Sequence, residues 1–202
     1  MGERLLSAAI STAIIILVVP VLGLLIDFIT EEITKSLAKG IGVDAALFIM
    51  NYLTFLGTIH HECSHAVYAL ITGAKVTSMQ IFKPDGNKLG SVQLQPRGIW
   101  LTKSLQLTLS AIAPTVQGLI TEILLFNLFM IVTPLWAKIL IIYVMVSVFV
   151  HMTMSGADVK AALKGLPIVA LLVFIICVIF HVDLFTVIKG FVLSSFQTPQ
   201  VG

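Results

Sequence analysis

His61, Glu62 and His65 form an HExxH pattern inside an apolar stretch, and no other part of the chain carries so clear a chemical signature. On a helix of 3.6 residues per turn, positions four apart lie about 40° apart around the axis and about 6 Å apart along it. Two imidazoles so placed can offer ring nitrogens to one metal ion, with Glu62 flanking the same face. A zinc ion held by few protein ligands keeps a position for water and lowers its pKa towards ~7, and a neighbouring carboxylate can take the proton as hydroxide attacks a carbonyl. The expected chemistry is hydrolysis, with zinc as cofactor and Glu62 as the base. Five His and five Glu are spread over 202 residues. At those frequencies chance supplies only about 0.003 such patterns in a chain of this length.

The surroundings dictate what must position these groups. The chain is 58% hydrophobic and 11% charged, with a mean hydropathy of +1.06, whereas a soluble domain is about 25% charged. An integral membrane protein is expected, as one domain over residues 1–202 with the lipid bilayer as its surroundings. Ionisable residues at the bilayer centre cost roughly 2.5 kcal/mol or more each, so histidines and a glutamate within a spanning segment mark function. The twelve Lys and Arg are scattered between the apolar runs, which excludes a nucleic-acid-binding surface. Cys63 and Cys177 show no CxxC spacing and read as small buried residues, with no disulfide.

In chain order, Leu5 to Thr30 is long enough to span and too long for a signal-peptide core, so a retained anchor is expected. Glu31, Glu32, Lys35 and Lys39 read as a polar connection closed by Gly40 and Gly42. A second span runs from Asp44, as N-cap, to Gly73 and carries the HExxH pattern near its end. Asn51 within it reads as a helix-helix hydrogen-bonding residue. Val76 to Phe82 and Leu89 to Gln95 flank Pro84-Asp85-Gly86-Asn87, which predicts a β-hairpin over about 76–96. Two readings of the hairpin stay open. It is a cap over helix ends, or an edge strand whose Val92, Gln93 and Leu94 pair with extended substrate.

Leu105 to Val132 is a third span, kinked at Pro114, with Glu122 facing the bundle. Leu135 through His151 and Asp158 to Lys164 reads as one helix of about 30 residues, ~45 Å long, stopping at Gly165. Ser147, His151, Ser155 and Asp158 then stack on one face. Leu166 to His181 follows as a fifth span, and Asp183 to Ser195 is too short to cross. The expected fold class is an all-α polytopic membrane protein of about five to six transmembrane helices with a small membrane-associated β-hairpin.

The positive-inside rule favours a cytoplasmic N-terminus, which puts Arg4, Lys75, Lys83, Lys88, Arg97, Lys103, Lys160 and Lys164 inside. The second and fourth spans then run parallel. His65 lies ~12 Å before Gly73 and Asp158 ~10 Å before Gly165, so depth makes Asp158, rather than His151, the third metal ligand beside His61 and His65.

His61-Glu62-Cys63-Ser64-His65-Ala66 at the inner end of a span, the hairpin after it, Ala113-Pro114 in the next helix and Asp158 in a later one together resemble the site-2 protease family of intramembrane zinc metalloproteases, in its small branch without a PDZ domain. The resemblance covers roughly Asp44 to Gly165. It implies zinc held by His61, His65 and Asp158, Glu62 as catalytic base, and a prokaryotic cell membrane as location. It also implies a transmembrane protein as substrate and a separate regulatory membrane protein in place of a PDZ domain. The family often carries Asn-x-x-Pro leading to Asp-Gly, where this chain has Met154-Ser155-Gly156-Ala157-Asp158-Val159. A second function class stays open, a non-proteolytic metal-binding membrane protein acting as chaperone or regulatory partner, with a metal-ion transporter as a third. Hydrolysis alone requires Glu62.

Overall fold

Long apolar runs with glycine at their ends fold as helices, and the chain is mostly helical. The computed structural model describes residues 2–81, 90–187 and 189. Helix α1 spans Gly2–Ile41, α2 Val43–Phe48 and α3 Phe55–Ile71. Between α2 and α3 the chain makes a π-helical turn, Ile49–Leu53. Strands β1 (Lys75–Gln80) and β2 (Ser91–Gln95) precede α4 (Trp100–Ile131), α5 (Leu135–Phe149) and α6 (Gly156–Phe180). Gly42 ends α1 at φ 90° and Gly73 ends the α3 segment at φ 91°, a conformation that costs a side-chain-bearing residue but not glycine.

Helices α1, α4 and α6 are each long and apolar enough to cross a membrane. The pair Val43–Leu53 and Phe55–Ile71 meets the same test as one segment bent by 58°. α5, at 15 residues, is shorter than the ~20 needed to cross. These lengths are compatible with a membrane protein.

Several boundaries differ from the sequence-based expectation. The charged stretch after Thr30 is not a connection but the last turns of α1, because Lys35 pairs with Glu31 at 2.8 Å and Glu32 at 3.0 Å across single helical turns. Asp44 is not an N-cap, since Gly42 holds that position and Asp44 lies in the first turn of α2. The run from Leu135 to Lys164 is not one helix. α5 stops at Phe149, residues 150–155 are not helical, and α6 starts at Gly156 and continues past Leu166. Ser147, His151, Ser155 and Asp158 therefore do not share a helical face.

The restart has a local cause. Ser155 and Asp158 form a capping box, in which the Ser155 N–H donates to Asp158 Oδ2 at 2.9 Å and the Asp158 N–H to Ser155 Oγ at 3.3 Å. Gly165, expected as a stop, lies inside α6. A Cβ there would strike the Ser104 carbonyl and sit 2.6 Å from Thr108 Oγ1, so this glycine permits close packing of α6 on α4. The Gly165 N–H donates to Thr108 Oγ1 at 3.0 Å, and that hydroxyl donates to the Ala162 carbonyl at 2.8 Å.

The unwound 150–155 stretch has its backbone met by distant residues. Thr30 Oγ1 donates to the Val150 carbonyl at 3.4 Å, Thr115 Oγ1 to the Met152 carbonyl at 3.1 Å, and the Met154 N–H to the Gly23 carbonyl at 3.3 Å. Gly23 and Gly118 let the two methionines pack closely, since a Cβ at either position would come within 2.6 Å of Met154 or Met152.

β1 and β2 pair antiparallel, with Val76 opposite Leu94 and Met79 opposite Val92, and the register slips between Val76 and Ser78. The expected turn Pro84-Asp85-Gly86-Asn87 lies outside the described residues. Contacts group the chain into two units, one formed by Val19–Gly165 and one by the described residues before and after it. In the latter unit Ser11 Oγ accepts the Leu184 N–H at 3.0 Å and donates to the Val182 carbonyl at 3.1 Å. Asp183 caps the next turn by accepting the Thr186 N–H and hydroxyl, which holds its carboxyl below the usual range.

Candidate metal centre

On α3, four-residue spacing brings the rings of His61 and His65 edge to face, 4.7 Å between centroids, with their Nε2 atoms 3.0 Å apart. What fixes the rings lies elsewhere in the chain. His61 Nδ1 donates to the His151 carbonyl at 2.5 Å, within the unwound stretch, and His65 Nδ1 to the Ser110 carbonyl at 2.7 Å. Ser110 returns the bond, its hydroxyl donating to the His65 carbonyl at 2.8 Å. The Ser110 carbonyl is available because its helical partner four residues on is Pro114, which has no N–H. The break after α5 likewise exposes the His151 carbonyl.

These two bonds set the tautomer. A carbonyl only accepts, so each Nδ1 carries the hydrogen, and each neutral ring presents a lone pair at Nε2. Two lone pairs 3.0 Å apart repel. A third acceptor joins them, Asp158 Oδ1, 3.6 Å from His65 Nε2. One ligand atom from each of His61, His65 and Asp158 lies within 4.8 Å of the others. Acceptors that converge in this way could hold a cation. Zinc bonds of about 2.0–2.2 Å in tetrahedral arrangement separate ligand atoms by roughly 3.3–3.6 Å; the donor set suits that ion among other divalent cations, and the 3.0 Å and 3.6 Å separations lie near that range. The orientation of Asp158 comes from the capping box, because Oδ2 is held by the Ser155 N–H and, at 2.5 Å, by the Ser155 hydroxyl, leaving Oδ1 for His65.

Glu62 is 7% exposed and His65 9%. Both line a cavity of about 570 Å³ together with His61, Asp158 and, from the hairpin, Val92 and Leu94. Gly90, just before β2, lies against Glu62, since a Cβ there would be 2.8 Å from Glu62 Cγ and 3.0 Å from Thr58 Cγ2. The backbone of the hairpin thus comes within a side chain's breadth of the glutamate.

The structure brings His61, Glu62, His65 and Asp158 together at this cavity, with Val92 and Leu94 on its wall. Gln93 alternates to the exposed face of β2, and its carbonyl accepts the Thr77 hydroxyl at 3.1 Å. His151 contributes a carbonyl, while its ring Nδ1 donates to the Ser147 carbonyl at 3.0 Å. Glu122 does not line the cavity. Ser110 and Ser155 orient two of the three ligands, and sequence reasoning does not assign either of them to the site. The signals that point to them are Pro114 four residues after Ser110, and the Ser-x-x-Asp spacing.

Compared with protein-family models, with curated protein sequences and with solved structures, the chain gives no match.

Proposed function

We propose that the protein is an intramembrane zinc metalloprotease of the site-2 protease type, which hydrolyses peptide bonds in or near the transmembrane segment of another membrane protein. The observation that carries this reading is the convergence of three acceptor atoms, from His61, His65 and Asp158, beside the buried Glu62 in one cavity. A structural metal site has no use for a carboxylate placed beside the ligands, whereas hydrolysis does.

His61, His65 and Asp158 would hold the ion, which supplies a Lewis acid and a water nucleophile competent near neutral pH. Glu62 accepts a proton from the attacking water and returns it to the departing amide nitrogen. Glu62 is itself 7% exposed, on the wall of the cavity. The Ser110 and His151 carbonyls keep both imidazoles in one tautomer and orientation. β2 has no strand neighbour besides β1 among the described residues, so its other edge can take an extended segment by main-chain hydrogen bonds, with Val92 and Leu94 facing the side chains.

In this reading the five helical segments, α1, the bent α2–α3, α4, α5 and α6, make a multi-pass protein of the cell membrane with its N-terminus in the cytoplasm. The unwound 150–155 stretch is tolerable in lipid because most of its backbone groups have protein partners. The partners are a transmembrane substrate, the bilayer and a separate regulatory membrane protein.

The test is incubation of purified protein, and of Glu62→Gln, with single-span membrane substrates while bound zinc is measured. Glu62→Gln should keep zinc and lose at least about 10²-fold in turnover, the usual contribution of a general base. Equal cleavage by the variant would refute the mechanism. Bound zinc with no cleavage by the unaltered protein would assign the chain to the class of metal-binding chaperones or regulatory partners.

A further inference from the structure

Asn51 reads from sequence as a residue that bonds a neighbouring helix, and it makes no such bond among the described residues. It sits in the π-helical turn Ile49–Leu53, at the 58° bend before α3. A π-helical turn carries one more residue than an α turn and so re-aims the side chains around it, which is why such turns gather at functional sites. Neighbours hold this one in shape. The Tyr143 hydroxyl donates to the Leu53 carbonyl at 2.9 Å, and the Thr54 hydroxyl to the Met50 carbonyl at 2.5 Å. The Asn51 side chain lines the same cavity as His61, Glu62, His65 and Asp158, and its amide has no hydrogen-bond partner among the described residues. Thr30, Thr34, Ser110 and Ser155 also line that cavity, but their hydroxyls are committed to protein acceptors, and Thr58, whose buried hydroxyl has no partner among the described residues, offers a single hydroxyl rather than a planar amide. Asn51 is not.

What such an amide would bind follows from the substrate. An extended peptide has main-chain donors and acceptors on both edges, and β2 can satisfy one edge only. Where the cavity shields the other edge from water, that edge costs free energy unless it too is met. A primary amide offers two donors and one acceptor in a plane, so it can donate to a main-chain carbonyl and accept a main-chain N–H at once.

We propose that Asn51 is a substrate-binding residue that hydrogen-bonds the main chain of the extended substrate on the edge not paired with β2. This rests on the proteolytic reading above. It predicts selection for unwound backbone and not for any particular side chain.

The experiment uses the full-length protein in detergent with a single-span peptide substrate, and the same peptide carrying backbone ester replacements one position at a time, each removing one N–H. Asn51→Leu should raise KM about tenfold, the equivalent of one to two lost hydrogen bonds, with kcat changed far less and zinc content unchanged. Asn51→Gln should recover part of the loss. One ester position near the scissile bond should weaken binding to the unaltered protein and have no effect on Asn51→Leu. Unchanged KM in Asn51→Leu, or ester effects equal in both proteins at every position, would overturn the assignment. If Asn51→Leu loses zinc or fails to fold, the ester series is compared between the unaltered protein and Asn51→Gln, where a smaller ester effect in the variant supports the assignment and an equal one overturns it. Absence of cleavage by the unaltered protein strikes the proteolytic reading itself, whereas cleavage with unchanged KM in Asn51→Leu strikes Asn51 alone.

Discussion

Ser155→Ala separates two jobs that one hydroxyl performs. It receives the Asp158 N–H at the start of α6, and it donates to Asp158 Oδ2, whose partner oxygen faces His65. Removing a serine from an N-cap costs about 1 kcal/mol of helix stability. Removing a hydrogen bond that orients a metal ligand typically costs about 10–100-fold in metal affinity, about 1.4–2.7 kcal/mol. The Ser155 N–H bond to Oδ2 survives the substitution, so the lower half of that range is expected, about 10- to 30-fold. The two effects are read separately. Thermal unfolding of the metal-stripped protein reports the cap, and competition for zinc against a chromophoric chelator reports the ligand. Ser155→Thr, which keeps the hydroxyl, should match the unaltered protein in both. A variant that loses stability when stripped but binds zinc within about twofold of the unaltered protein would refute the reasoning, since the box would then cap the helix without orienting Asp158.

Asp158→Ala should abolish measurable zinc binding, whereas His151→Ala should retain it, because His151 serves the site through its carbonyl; the reverse pattern by elemental analysis would refute the assignment. Gly57→Ala places a Cβ against the Ser147 carbonyl and 2.5 Å from His151 Nδ1. Overpacking of that kind costs about 1–3 kcal/mol, and should appear as a lowered unfolding temperature together with weakened metal binding. Chelation of the metal should destabilise the protein by about 2.7 kcal/mol relative to zinc at about a hundred times its Kd, and an unfolding temperature indifferent to chelator would argue against any bound ion.

The HExxH pattern is legible because it is contiguous and needs only helical periodicity to face one way. Asp158 is reached from sequence by counting residues along a continuous helix, and that helix does not exist. Asp158 meets His65 because α6 starts at Gly156, which puts Asp158 in its first turn. Val150 to Met154 contains no glycine or proline, so neither of the usual helix breakers announces the break. The break is stabilised by Thr30, Thr115 and Gly23, which lie 37 or more positions away in sequence. Only Ser155-Gly156-Ala157-Asp158 marks it locally, and a capping box inside an apolar run is hidden by the run. The hairpin is legible from alternation, and the same alternation separates Gln93 from Val92 and Leu94. Pro114 is readable as a kink, but its consequence, a carbonyl left for His65, depends on a helix folding alongside.

The unwound stretch between α5 and α6 also ties the proposed metal ligands to the state of the rest of the unit. His61 is oriented by a carbonyl that is open to it only while residues 150–155 stay unwound. They stay so only while α1 lends Gly23 and Thr30, and α4 lends Thr115. A molecule whose α1 has not yet docked would leave those polar groups unmet and drive the stretch back into helix, withdrawing the support of His61. If the protein is the protease proposed above, a newly made chain would then gain the geometry for metal binding only once α1 has docked, so that activity would wait on assembly.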